Sequence, residues 1–222
     1  MRHELKHRIT YEDYLVIAGR LRYIADFDCH AGEDGRYRVH SLYFDNISDK
    51  ILREKVDGVR NREKFRIRYY DEDAEFIRLE KKSKIHGLCD KESAAMTKEQ
   101  VEALCGGRTE FLRDSEEPLF RELYAKMQYQ MLRPRCIVDY DRVAYTYLPG
   151  NVRITFDSNI RTGLYHNTLF DREIATIPAE AGVIILEVKY DAFLPELIAK
   201  AVRVANRQAG SYSKYAACRV YG

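Results

Sequence analysis

Three short stretches of this chain pair a carboxylate with an ammonium two residues apart: Glu4-Leu5-Lys6, Glu80-Lys81-Lys82 and Glu187-Val188-Lys189. Each lies in a segment that reads as a β-strand, where residues two apart share a face, so every copy places one acid and one base on the same side of a sheet. Lys64, Arg66 and Arg68 obey the same rule, with Phe65, Ile67 and Tyr69 on the other face. A sheet face carrying that many cations, with carboxylates among them, points to a highly charged anion and a metal ion. A chain of phosphates fits best, because arginine grips phosphate oxygens through parallel hydrogen bonds and lysine adds a more mobile point charge.

The elements that must position these residues are read from periodicity and punctuation. Residues 2 to 9 alternate as a strand, and Thr10, with Asp13 three residues on, opens a helix to about Ala25. Asp26 to Gly35 reads as a loop, Tyr37 to Phe44 as a strand, and Ser48 as the cap of a short helix through Val56. Strands over 62–70, 75–84 and 88–96, separated by Asp71-Glu72-Asp73 and His86-Gly87, form an antiparallel meander. Thr97 starts a helix that ends at Gly106-Gly107, and Pro118 starts another that ends before Pro134. Strands over 135–147 and 151–157 meet at the Pro149-Gly150 turn, 158–182 is irregular, and 183–190 is a strand. Pro195 opens a helix to about Gln208, and the tail from Gly210 to Gly222 holds a short helical turn.

About eight antiparallel strands can close into a barrel with room inside for side chains or one slender ligand. The face bearing Lys6, Arg66, Arg68, Lys82, Arg153, Glu187 and Lys189 is charged, so the lumen of such a barrel is polar and the helices cover an apolar exterior. Buried cations on this scale require water or an anion to compensate them. The expected fold is therefore α+β, a closed eight-stranded antiparallel barrel with helices packed outside, in a single domain over residues 1–222.

Ser41-Leu42-Tyr43-Phe44-Asp45-Asn46, Arg66-Ile67-Arg68, Leu79-Glu80-Lys81-Lys82, Arg153-Ile154-Thr155-Phe156-Asp157, Leu186-Glu187-Val188-Lys189-Tyr190 and Ser213-Lys214-Tyr215 together resemble, in order, the VTC domain. That domain is the polyphosphate polymerase module of the vacuolar transporter chaperone complex, within the CYTH-like triphosphate tunnel metalloenzymes. The resemblance runs from about residue 2 to 216. It implies a tunnel barrel, a cytoplasmic active site, and metal-dependent transfer of the ATP γ-phosphoryl group to inorganic polyphosphate. It also implies that Lys6, Arg66, Arg68, Lys82, Lys91, Arg142 and Arg153 line the phosphate path, with Lys189 on the same face and Tyr140 touching phosphate. Ser213 and Lys214 would close one end, and Glu187, helped by Glu4 and Glu80, would hold Mn²⁺ or Mg²⁺. Two departures stand out. Glu92 and Ser93 follow Lys91 where many relatives supply arginine, and Gly210-Ser211-Tyr212 precedes Ser213 where a further basic residue is common.

Composition narrows the classes. A net charge of +2, from 37 basic and 35 acidic residues, is not that of a general nucleic-acid binder, so an anion site must be local. Five widely spaced cysteines without a C-x-x-C pattern fit neither a zinc site nor a secreted disulfide framework, and the six histidines lack metal-ligand spacing. No apolar run approaches the ~20 residues of a membrane span, and the cysteines fit a reducing cytosol, so the reading is of a soluble cytoplasmic chain; the resemblance implies a separate membrane partner to move its product. A lone glutamate-x-lysine is ordinarily a solvated surface pair worth little. Three copies beside Arg66 and Arg68 favour a site. ATP and polyphosphate or triphosphate are the expected ligands. A tunnel hydrolase with water as acceptor, or a non-catalytic polyphosphate or nucleotide sensor, uses the same cations and stays open. An RNA-binding patch at Arg60 to Arg68 is the weakest reading.

Overall fold

Side-chain alternation along long strands, with one face of each strand apolar, dictates the architecture. The structure is a computed structural model that describes residues 2–29, 31–32, 34–71, 73–85, 88–164, 168–171, 174–203 and 209–219, with the backbone alone at 73, 74, 88 and 89. The strands are β1 His3–Ile9, β2 Asp26–Phe27, β3 Arg36–Asp45, β4 Arg62–Tyr70, β5 Asp73–Ile85, β6 Leu88–Met96, β7 Arg133–Tyr147, β8 Val152–Leu164, β9 Ile177–Pro178 and β10 Ile184–Tyr190. The helices are α1 Tyr11–Leu21, α2 Lys50–Val56, α3 Lys98–Cys105, α4 Glu110–Arg113, α5 Pro118–Tyr129, α6 Glu196–Ala201 and α7 Lys214–Cys218.

Hydrogen bonds order the strands β1-β10-β8-β7-β3-β4-β5-β6, with β2 on β7 and β9 on β8. The class is α+β, a mostly antiparallel sheet with few helices. The expected closed barrel is not closed by hydrogen bonds: the order begins at β1 and ends at β6, and no ladder joins these two among the described residues. Both end strands carry charge, Glu4, Lys6 and Arg8 on β1 and Asp90, Lys91 and Glu92 on β6.

The chain separates into two compact units. The first comprises Met1–Arg38, Tyr140–Ile160 and Glu180–Tyr212, and the second Val39–Asp139, Arg161–Ala179 and Ser213–Gly222. In the first, Ile9, Val143, Tyr145, Val152, Ile154, Phe156, Ile184, Leu186 and Val188 form the apolar sheet face. Ile17 and Leu21 of α1, with Ile198, Ala201 and Val202 at α6, cover it. Thr10 and Asp13 form the expected capping box at α1, which ends earlier than expected, at Leu21. Gly150, at φ 75, makes the turn between β7 and β8, and a Cβ there would lie 2.6 Å from the Phe193 carbonyl oxygen. Only glycine tolerates both conditions.

In the second unit, Leu42, Phe44, Phe65, Ile67, Ile77 and Leu79 are buried, as are Val101 and Leu104 of α3 and Leu119, Phe120, Leu123 and Met127 of α5. Helix α3 contacts β5, α5 contacts β6 and α2 contacts β4. Three expectations are corrected. Strand β8 runs on to Leu164, where an irregular segment was expected after 157, and β9 follows within that segment. Short β2 occupies part of the expected loop, and α4 was not expected. Ser48 does not cap α2: the Asp45 carboxylate, at the end of β3, accepts the N–H groups of Ile51 at 2.9 Å and Leu52 at 3.1 Å. An anion at a helix N-terminus answers both the orphan donors and the helix dipole. Helix α6 ends at Ala201, short of the expected helix to about Gln208; Gln208 itself and the expected His86-Gly87 turn lie outside the described residues. Among the described residues no helix is long and apolar enough to cross a membrane. Cys29, Cys105, Cys136 and Cys218 are free thiols.

Asp45 also accepts the Tyr215 hydroxyl at 2.7 Å, so one buried carboxylate ties β3, α2 and α7 together. Asp45→Ala is expected to destabilise the fold by about 2 kcal/mol or more in urea unfolding, since hydrogen bonds to a charged group contribute about 1.5–3 kcal/mol each. An unchanged midpoint would show that the carboxylate is not a structural anchor.

Candidate anion-binding site

The first unit carries two of the three glutamate-x-lysine motifs on neighbouring strands. Register places Lys6 opposite Glu187 and Glu187 opposite Thr155, forming one row, with Glu4, Lys189 and Arg153 forming the next. Lys6 Nζ lies 3.2 Å from Glu187 and also pairs with Glu4, while Lys189 lies 2.5 Å from Glu187. Burial alone would lower the Lys6 pKa, but Glu187 and Glu4 outweigh it and hold the ammonium above its ordinary range. Lys6 is thus a permanent cation.

Farther along the same sheet face, Arg142 grips Asp157 through Nε at 2.6 Å and Nη2 at 2.9 Å, and its Nη2 reaches the Tyr140 hydroxyl at 3.4 Å. Arg153 is held by Asp28 at 2.8 Å and by the Tyr37 hydroxyl at 2.9 Å. Tyr140 is buried, and its ring also lies 5.3 Å from the Arg142 guanidinium. These arginines are oriented by carboxylates before any ligand arrives.

The second unit carries the remaining motif. Lys64, Lys82 and Lys91 stand in one row across β4, β5 and β6. The adjacent row is Tyr43, Arg66, Glu80 and Ser93, and beyond it Ser41, Arg68 and Arg78 are aligned. Glu80 is an acid set within this cluster. Arg66 donates to one of its oxygens, at 2.7 Å from Nε and 2.6 Å from Nη2, and Lys91 takes the other at 2.5 Å. Burial would raise the Glu80 pKa, yet Arg66, Arg68 and Lys91 bring it down to about 2. Arg68 is buried and bonds Ser41 at 3.1 Å. Lys82, half-buried, forms no ion pair with a described residue.

Ser213 and Lys214 start α7, where the Ser213 oxygen accepts the Ala216 N–H at 3.3 Å, a capping role. The two departures are placed as well. Ser93 sits directly opposite Glu80, and Glu92 turns to the other face to pair with Lys81 at 3.0 Å. Sequence reading passed over Asp28, Tyr37, Tyr43 and Thr155. Thr155 was legible by parity, being two residues from Arg153, whereas Asp28 reaches Arg153 across 125 residues without any local signal.

For a divalent ion, the described residues contain no ready-made group of three or more acidic, histidine or cysteine ligands. The first-unit row nonetheless offers an all-oxygen set. Glu187 and Glu4 share one lysine, and the buried Thr155 hydroxyl opposite Glu187 has no hydrogen-bond partner among the described residues. A hard cation that takes its remaining ligands from water and phosphate fits such a set, and the flexible lysine stems can yield to it. Glu80 fits less well, because the rigid Arg66 fork and Lys91 occupy both its oxygens.

Sequence comparison matches residues 1–221 to the VTC domain. The chain belongs to the VTC domain family. No curated protein matches it significantly. Among solved structures, a candidate adenylate cyclase from Bacillus halodurans is 14% identical with a TM-score of 0.48, covering 89% of this chain and 83% of its own. One from Vibrio parahaemolyticus is 12% identical at TM-score 0.48, covering 95% and 94% respectively. The PH1012 protein of Pyrococcus horikoshii is 14% identical at 0.42, covering 91% and 85%.

The depressed Glu80 pKa carries a pH signature. Its folded value, about 2, lies below the ordinary 4.5, so the ionised carboxylate stabilises the fold fully above about pH 4.5, and that contribution is lost as pH falls towards 2. Glu80→Gln is expected to be less stable than wild type at neutral pH, with the gap in urea midpoint closing between about pH 4.5 and 2. A gap independent of pH would contradict the ion-pair account.

Proposed function

We propose that the chain is a phosphotransferase that moves the γ-phosphoryl group of ATP onto the end of an inorganic polyphosphate chain, with Mg²⁺ or Mn²⁺. The observation that carries this is the row Lys64, Lys82 and Lys91 beside Arg66 and Arg68, in a chain that belongs to the VTC domain family. Such a row repeats positive charge along a line, which suits an anion that repeats negative charge along its length.

In the proposed reaction a terminal phosphate oxygen of the acceptor attacks the γ-phosphorus of ATP, and the bond from that phosphorus to the β–γ bridging oxygen breaks, releasing ADP. Such a transfer asks the protein for position and charge neutralisation and needs no covalent nucleophile. Arg66 and Arg68 supply fixed, directed donors, one anchored on Glu80 and the other on Ser41. Lys82, without a carboxylate partner among the described residues, supplies a mobile charge that can follow phosphate. In the first unit Lys6 remains protonated whatever the working pH, and Arg142 and Arg153 are oriented by Asp157 and Asp28. Glu187, with Glu4 and Thr155, would hold the divalent ion, which would neutralise phosphate oxygens as a Lewis acid. Tyr140, Lys91, Lys189, Ser213 and Lys214 complete the set proposed to contact nucleotide or product. The chain is proposed to act in the cytoplasm, with a separate membrane partner wherever its product is exported.

The non-catalytic alternative draws on Ser93, an uncharged residue that faces Glu80 two positions after Lys91, where the resemblance implies a further cation. Incubation of the protein with ATP and Mn²⁺, followed by gel analysis of polymer and assay of ADP and free phosphate, separates these readings. The expected result is long polyphosphate with matching ADP and little free phosphate. Lys82→Ala should lower the yield about tenfold or more, the scale of one charge-assisted contact, and Glu187→Gln should lose the metal-dependent part. Free phosphate without polymer would replace the polymerase with a hydrolase, and binding without turnover would replace it with a sensor.

A further inference from the structure

Tyr43 has no task in the phosphate chemistry above, yet its phenolic oxygen is set among cations. Arg66 Nη1 donates to that oxygen at 3.0 Å, the Arg66 guanidinium lies 5.8 Å from the ring centre, and Lys64 Nζ lies 5.6 Å from it. Arg68 stands two residues beyond Arg66 on the same face of β4. On the strand that bears Tyr43, Asp45 is committed to the α2 amides and to Tyr215, and Ser41 to Arg68. From β5 and β6, Glu80 and Lys91 are bound to each other and, through Glu80, to Arg66. From α7, the Tyr215 ring stacks on Tyr43 at 5.2 Å, with Lys214 next to it in the chain.

The two stacked phenols are driven in opposite directions. Burial and the Asp45 carboxylate that accepts its hydroxyl push the Tyr215 pKa up, so that proton is held. Burial acts on Tyr43 in the same sense, but Arg66, Lys64 and Arg68 outweigh it and bring its pKa down to about 7. The same three cations line the phosphate path of the proposed function. A polyanion bound to them cancels the field that favours the phenolate and adds negative charge beside it.

We propose that Tyr43 is a proton-exchanging positioning residue of this anion site: its hydroxyl proton leaves to solvent when Lys64, Arg66 and Arg68 hold no polyanion, and returns from solvent when phosphate occupies them. As a phenolate, Tyr43 accepts from Arg66 and keeps the guanidinium aligned. As a phenol, it can donate to a phosphate oxygen. Polyanion binding therefore takes up a proton, and affinity falls as pH rises above neutrality. This inference rests on the reading of the second-unit face as a phosphate site.

The test is calorimetric titration with sodium tripolyphosphate, free of divalent metal, at about pH 8 in two buffers of different ionisation enthalpy, on wild type and Tyr43→Phe. Protonation of the ligand itself is common to both proteins and cancels in the comparison. Wild type is expected to take up about one proton more per bound ligand than the variant, and its dissociation constant to rise about tenfold more per pH unit above neutrality. Tyrosinate ultraviolet absorbance of wild type alone gives a second readout, independent of how the variant folds: one tyrosine should ionise near neutral pH and cease to do so with tripolyphosphate present. Equal proton uptake by both proteins, or no near-neutral tyrosine, overturns the role of Tyr43 and leaves the phosphate site standing. No binding by wild type at any pH overturns both.

Discussion

Everything at the candidate site depends on one constraint: a strand that gives one face to an apolar core must put most of its charge on the other. The core residues Ile154, Phe156, Leu186 and Val188 of the first unit alternate with Arg153, Thr155, Asp157, Glu187 and Lys189. Charges crowded this way repel unless acids are interleaved with bases, and the register supplies that interleaving by setting Lys6 against Glu187 and Glu4 against Lys189. The glutamate of each motif thus acts first as a spacer that keeps cations in place, and its availability to a metal comes second. In the second unit Glu80 is set among Lys64, Arg66, Arg68 and Lys91. An anion site requires that kind of local excess in a chain whose net charge is only +2.

Arginine and lysine divide the work. Arg142 and Arg153 are clamped by buried Asp157 and Asp28, so their guanidinium planes are fixed ahead of any ligand. Breaking such a pair would leave an uncompensated buried charge, which ties the geometry of the site to the stability of the fold. In the proposed function, lysines with flexible stems, Lys82 above all, can shift as a substrate advances. A polymer that must move in steps past its binding groups is served better by a mixture of fixed and mobile cations than by either alone.

Much of this was legible in the sequence, because it is governed by local periodicity. The limits of β4 and β6 fall where alternation and turn residues put them, and the three glutamate-x-lysine motifs lie on strands with their charges sharing a face. Failures arose where a distant group decides a local outcome. Ser48 reads as a helix cap, but Asp45 arrives from the strand end and takes the amides. The segment after 157 reads as irregular because Ser158, Asn159 and Gly163 interrupt its alternation, yet β8 continues through it to Leu164. The partners of Arg153 and the stacking of Tyr43 on Tyr215 join residues more than a hundred positions apart, and no spacing rule reaches that far.

The central claim is that these charged strand faces bind a polyphosphate chain through Coulombic contacts made by particular lysines and arginines. Its most direct test is the salt dependence of tripolyphosphate affinity at fixed pH, measured for wild type and Lys82→Ala. The account predicts affinity that falls steeply with added KCl, because partly exposed charges are screened by mobile ions, and a weaker, flatter dependence in the variant. Affinity that is independent of salt, or identical in the two proteins, would contradict it.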